Sequence, residues 1–155
     1  MHAKIILTLS LLAAPAAQAA PVIQLLGKGV QIYVCAPANP GFAWRLKAPE
    51  AILTDTTGAA AGRHFAGPTW QAADGSTVTG KPLVASPAPQ PGAIPWLVLQ
   101  AAAHGGSGVF TDVAYIVRSL TEGGAAPASG CDAAHAGALV RVGYQATYLF
   151  FPAPR

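Results

Sequence analysis

The sequence predicts an all-β fold: a single-domain sandwich or barrel of short antiparallel strands with long Pro/Gly-rich loops. Three observations carry that prediction. Short runs alternate apolar and polar residues with period two, turn-forming residues interrupt them about every ten residues, and no segment sustains three turns of helical periodicity.

The chain opens with a targeting pattern. His2 and Lys4 precede an apolar run, Ile5 to Ala14, that is too short for a bilayer, where about 20 residues are needed. Ala17-Gln18-Ala19 supplies the small-x-small cleavage signal. Residues 1–19 are therefore expected to be a Sec signal peptide and residues 20–155 the exported domain, periplasmic or extracellular. Nothing later reaches membrane-spanning length without Gly, Pro or charge, so no membrane span is expected in the mature protein.

Removing Lys4 from nine basic residues leaves eight against six acidic ones, a net charge of +2. The basic residues are scattered, which argues against a nucleic-acid partner. Two cysteines, Cys35 and Cys131, are an even count in an exported chain and so point to a disulfide. That bridge would close a loop of about 97 residues, tying the first core strand to the segment before the last. The alternative is a thiol pair acting as metal ligand or nucleophile.

Val30 to Cys35 alternates Val30, Ile32 and Val34 with Gln31, Tyr33 and Cys35, and its β-branched content makes it a strand. Phe42 to Lys47 alternates again until Pro49 breaks it, Ala51 to Leu53 forms a short strand, and Gly58 to Gly62 reads as a small-residue loop. Thr69-Trp70 and Thr77-Val78 flank Asp74-Gly75, a two-residue type I′ hairpin signal that needs positive φ at both central positions. Pro82 to Pro95 carries five prolines and reads as a long surface loop. Trp96 to Ala103 is a strand or short helix, and His104 to Gly108 a flexible bend. Phe110 to Leu120 is a strand with Val113, Tyr115 and Val117 on one face and Asp112, Ala114, Ile116 and Arg118 on the other. Ala133 to Leu139 offers one helical turn. Val140 to Phe151 is the last strand, with Tyr144, Ala146, Tyr148 and Phe150 sharing a face.

The densest chemistry lies in HFAGPTWQAADGS, residues 64–76. An acid-base pair requires His64 with Asp74 or Glu50, the only pairings the chain offers for a small hydrolase or isomerase. Ser76 and Ser107 lie outside any Gly-x-Ser-x-Gly elbow. No His-x-His or His-x-x-x-His pair exists, so no metal site is expected, and no cofactor motif is present. Arg118, in an apolar strand, is expected to point to solvent or to pair with a buried acid such as Asp132 or Glu50, with a ligand carboxylate or sugar as the functional alternative. Candidate ligand-binding residues are His64, Trp70, Arg118 and Tyr115. Clustered, exposed rings would make a platform for flat ligands. The expected function is an exported, non-catalytic module that binds a small molecule or envelope polymer, or plays a structural part. The alternative is a small enzyme using His64 with a carboxylate in a cleft.

Several motifs in order, QIYVC (31–35), KAPEA (47–51), HFAGPTW (64–70), DGS (74–76), YIVR (115–118) and GCD (130–132), give a resemblance to a known family. The chain resembles the exported domain of unknown function numbered 3455, found in bacteria and fungi. The resemblance implies a secreted single domain with no established activity. Some fungal members carry a malate dehydrogenase label, but this chain lacks a dinucleotide fingerprint and a βαβ pattern.

Overall fold

Period-two alternation closes on itself. In the computed structural model, which describes residues 21–154, eight antiparallel strands each pair with the next in sequence, and the last pairs with the first. The strands are β1 (Ile23–Pro37), β2 (Phe42–Thr54), β3 (Ala60–Phe65), β4 (Thr69–Ala72), β5 (Thr77–Ser86), β6 (Trp96–Gly105), β7 (Val113–Gly123) and β8 (Leu139–Pro152). The only helical element among the described residues is a 3-10 turn, Ala133–His135, capped by Asp132. No helix among them is long and apolar enough to cross a membrane. The expected signal peptide lies outside the described residues.

Inward residues follow the predicted alternation most clearly on β8, where Tyr144, Ala146, Tyr148 and Phe150 are all buried. Leu25, Leu53, Trp70, Val78, Leu99 and Ile116 meet them to form the core. Phe110, from the β6–β7 connection, plugs the lower end of the barrel and stacks on Phe150 with ring centroids 4.5 Å apart. At the upper end, the Cys35–Cys131 disulfide pins the β7–β8 connection to β1 across 96 residues of sequence. Trp44 Nε1 donates to Ser129 O beside it.

Several strands differ from the sequence reading. β2 runs through Pro49, and β5 runs through Pro82 to Ser86, so the connection to β6 spans only 87–95. The reason lies in the short β3–β4 hairpin. β3 pairs with β2 only from Ala51 to Thr54, and β4 pairs with β5 only up to Thr79. Beyond those points β2 and β5 each have a free flank, and an edge tolerates proline because the missing N–H has no partner to lose. The residues read as a small-residue loop start β3 at Ala60, paired with Thr54. A register shift between Val113 and Tyr115 turns both Val113 and Ile116 inward, where strict alternation separates them. The Asp74-Gly75 turn is also of another type. Gly75 alone has positive φ, and Gly75 N donates to Ala72 O, the three-residue pattern with glycine in the left-handed position.

Candidate functional site

His64 pairs in register with Trp70, so both side chains face the interior. The rings stack with centroids 4.3 Å apart and 10° between planes, and Tyr148 closes the cluster 5.3 Å from the imidazole. His64 Nδ1 lies 2.8 Å from Thr69 O; a carbonyl only accepts, so Nδ1 carries the proton and Nε2 the lone pair. Burial pushes the imidazole pKa down to about 4; the bond to Thr69 opposes this and the charge of Arg118 adds to it. His64 is thus neutral near pH 7.

Neither candidate acid reaches it. Glu50 adjoins Ala51, the register partner of His64, so its side chain leaves the opposite face of the wall. There Glu50 pairs with Arg141. Asp74 sits at the lower turn, where Oδ1 accepts from Ser76 N and Oγ, and Oδ2 accepts from Val109 N. Those bonds hold its carboxyl below the ordinary value. They also fix the β6–β7 connection, and Ser76 Oγ accepts from Phe110 N to complete the clamp.

Arg118 is in register with Tyr148 on one side and Leu97 on the other, so it points into the upper interior. The expected ion pair with Asp132 or Glu50 does not form. Asp132 caps the 3-10 turn and bonds His135, while Arg118 Nε and Nη2 both donate to Pro95 O at 3.0 and 2.7 Å. The reason is topological: both acids lie on outward-facing or surface backbone, and the 87–95 connection brings a carbonyl to the barrel mouth. Burial draws the guanidinium pKa down, and the phenols of Tyr148, Tyr144 and Tyr33 counter it. Burial in turn raises the pKa of all three phenols, which are protonated at neutral pH.

The structure therefore gathers His64, Trp70 and Arg118 at one interior and leaves Asp74, Glu50 and Tyr115 elsewhere. Tyr115 is exposed on the outer wall, beside a depression of about 380 Å³ that also touches Gln100 and His104. Trp70, Tyr33, Tyr144 and Tyr148 are buried, so they do not form an exposed ring platform. Among the described residues no three His, Cys, Asp or Glu side chains cluster as metal ligands would.

A second concavity was not signalled by any motif. Two outward rows, Lys28–Ile52–Arg63 across β1, β2 and β3 and Val30–Glu50 across β1 and β2, run along the wall, with Phe65 at the end of β3. Between them lies a groove of about 490 Å³ whose floor is the backbone at Gly29, Ala51 and His64, with Arg141 at its rim. Arg63 is held in place by Nε donating to Gln71 Oε1 at 2.7 Å and by lying over the Phe65 ring at 5.3 Å. Three cations thus face one carboxylate, and Arg141 already neutralises that carboxylate. Cross-strand spacing in the sequence alone cannot be seen until the register is known, which is why these residues were missed.

No curated protein and no solved structure matches the chain. A family model, described as a protein of unknown function (DUF3455), matches residues 15–152, almost the whole chain and every strand described above. The chain therefore belongs to the DUF3455 family.

Proposed function

We propose that this protein is an exported, non-catalytic binding module that holds an acidic, partly apolar ligand, such as a stretch of acidic envelope polymer, in the groove on its outer wall. The observation that carries the reading is the charge of the groove: Lys28, Arg63 and Arg141 surround apolar Ile52, Val30 and Phe65, with Glu50 the one acid. A concave site with an apolar lining and a few convergent polar groups is the usual form of a ligand pocket. The fixed guanidinium of Arg63 over an aromatic ring suits a planar carboxylate. Export is supported by the leader-like residues 1–19 and by a disulfide, a bond typical of oxidising compartments. The non-catalytic reading is supported by His64, which is stacked in the core away from Glu50 and Asp74.

The test is titration of the oxidised protein with oligomers of a uronic acid, followed by calorimetry. Binding that weakens as salt rises and is lost in Lys28→Ala/Arg63→Ala is the expected result. Binding that ignores both changes, or no binding to acidic oligomers, refutes the proposal.

A further inference from the structure

The upper interior holds polar groups that the groove does not use. Gln31 is 1% exposed, and neither its amide nitrogen nor its amide oxygen has a partner in the protein. A buried amide with both ends unmet costs stability, so its presence calls for a partner.

Gln31 lies against Gly124, Tyr144 and Ile94. Gly124 marks the place: a Cβ there would stand 2.7 Å from Tyr144 Cβ, 3.0 Å from Ile94 Cγ2 and 3.3 Å from Gln31 Cγ. Tyr33 Oη donates to Gly124 O at 2.6 Å, and Arg118 is near enough to Tyr33, Tyr144 and Tyr148 to act on all three phenols. Pro95 O takes bonds from two nitrogens of the Arg118 guanidinium, which has five N–H donors. Among the described residues no carboxylate pairs with it.

The interior also has a mouth. Leu46 is in register with buried Tyr33, and Ala85 is in register with Leu97, which pairs with Arg118, so both belong to the inner face. Yet Leu46 and Ala85 are exposed. They flank the gap where β3 and β4 stop short, between the upper halves of β2 and β5. Arg45, Lys47 and Lys81 line the two free flanks, and neither Phe42–Pro49 nor Gly80–Ser86 contains an acid. Such a rim attracts anions.

We infer that the upper barrel interior binds a small carboxylate that also bears an amide, reached through the gap between β2 and β5. The guanidinium of Arg118 takes the carboxylate, as a planar fork does. The Gln31 side chain offers one donor group and one acceptor, the complement of a ligand amide. This site is on the opposite face of the wall from the outer groove and stands or falls independently of it.

The probe is N-acetylglycine, with acetate and N-acetylglycinamide as controls lacking the amide or the carboxylate. The readout is a nitrogen–proton NMR titration of the oxidised protein, which observes the Gln31 side-chain amide and the Arg118 Nε–H directly. N-Acetylglycine is expected to shift both signals, and each control to bind at least about ten-fold more weakly. Gln31→Leu keeps the volume, removes the unmet amide, and is expected to fold at least as stably as wild type while losing about ten-fold in affinity. Arg118→Met is expected to abolish binding, and Gln31→Leu keeps the test decisive if loss of the Pro95 bonds unfolds that variant. No shift at Gln31 and Arg118, equal binding of acetate, or undiminished affinity in Gln31→Leu overturns the proposal; a merely water-filled interior gives the first of these.

Discussion

The two halves of the barrel are built from the same strands and solve different problems. In the lower half all eight strands pair, and the interior is Leu53, Trp70, Phe110, Ile116 and Phe150, each at most 1% exposed. In the upper half the β3–β4 hairpin is missing from the wall, and the interior holds Gln31, Tyr33, Arg118 and Tyr144 beside exposed inner-face residues. Full closure goes with an apolar core, and the polar interior side chains lie at the end where the wall has an open flank. Apolar packing is thus concentrated at one end.

The largest expected effect tests that division. Phe150 is fully buried, stacked on Phe110 and edge-on to Trp70. Phe150→Ala should lose about 3–5 kcal/mol in urea denaturation, the usual cost of an aromatic core truncation. Leu83, on the free flank of β5, is 52% exposed, and Leu83→Ala should change stability by less than about 0.5 kcal/mol. A comparable loss at both positions would show that the upper half is packed, and the contrast would collapse.

Next in size is a pH effect at the boundary between the halves. The His64 pKa is about 4 in the folded protein against 6.5 for an ordinary histidine. The unfolded chain then binds the extra proton between those values, so this stabilisation is complete above pH 6.5 and is lost as pH falls towards 4. The shift corresponds to about 3 kcal/mol. His64→Phe retains a ring against Trp70 and should flatten the decline between pH 6.5 and 4.5. A wild-type slope that persists in the variant would assign the acid sensitivity to other groups.

Much of this architecture was legible in the residues, and the parts that were not share a cause. The inner face of β8 and the Cys35–Cys131 bond follow from period two and from an even cysteine count. Local alternation does not say which face is inner, however. On β1, hydropathy favours burying Val30, Ile32 and Val34; Ile32 is buried, but Val30 and Val34 are only half-buried, while Gln31 and Tyr33 are buried and face the interior. On β7, the shared parity of Ile116 and Arg118 was readable, but not that both point inward. Prolines 49 and 82 looked like strand breakers because the free flanks that tolerate them arise from a hairpin elsewhere in the chain. His64 and Trp70, read from the sequence only as candidate ligand-binding residues, stack on each other in the core, a contact that only the β3–β4 register reveals, and Glu50 and Asp74 do not join them. Register and edge status are tertiary facts, and these misses trace to one or the other.

Smaller effects separate the lower turn from the outer wall. Gly108 has φ of 156°, and a Cβ there would meet Asp74 Oδ2 at 2.1 Å. Gly108→Ala should therefore dislodge the Asp74 clamp on Val109 and Phe110 and cost roughly 1–2 kcal/mol. Unchanged stability would mean that the clamp is not needed to hold Phe110 in the lower end.

The smallest effect belongs to the Arg141–Glu50 pair on the outer wall, where both side chains are 55% exposed. Water screens such a pair, and holding two long side chains in one geometry offsets much of its attraction, so Arg141→Ala should cost less than about 1 kcal/mol. Its consequence for binding has the opposite rank. Removing Arg141 frees the Glu50 carboxylate inside a groove that otherwise presents only Lys28 and Arg63, and it cuts the cation excess from two to one. An acidic ligand should then bind more weakly and with a shallower salt dependence, although the fold is nearly unchanged. A matched loss of stability and affinity would mean instead that the outer wall shares the structural burden of the lower core, and that the groove cannot be altered without disturbing the barrel beneath it.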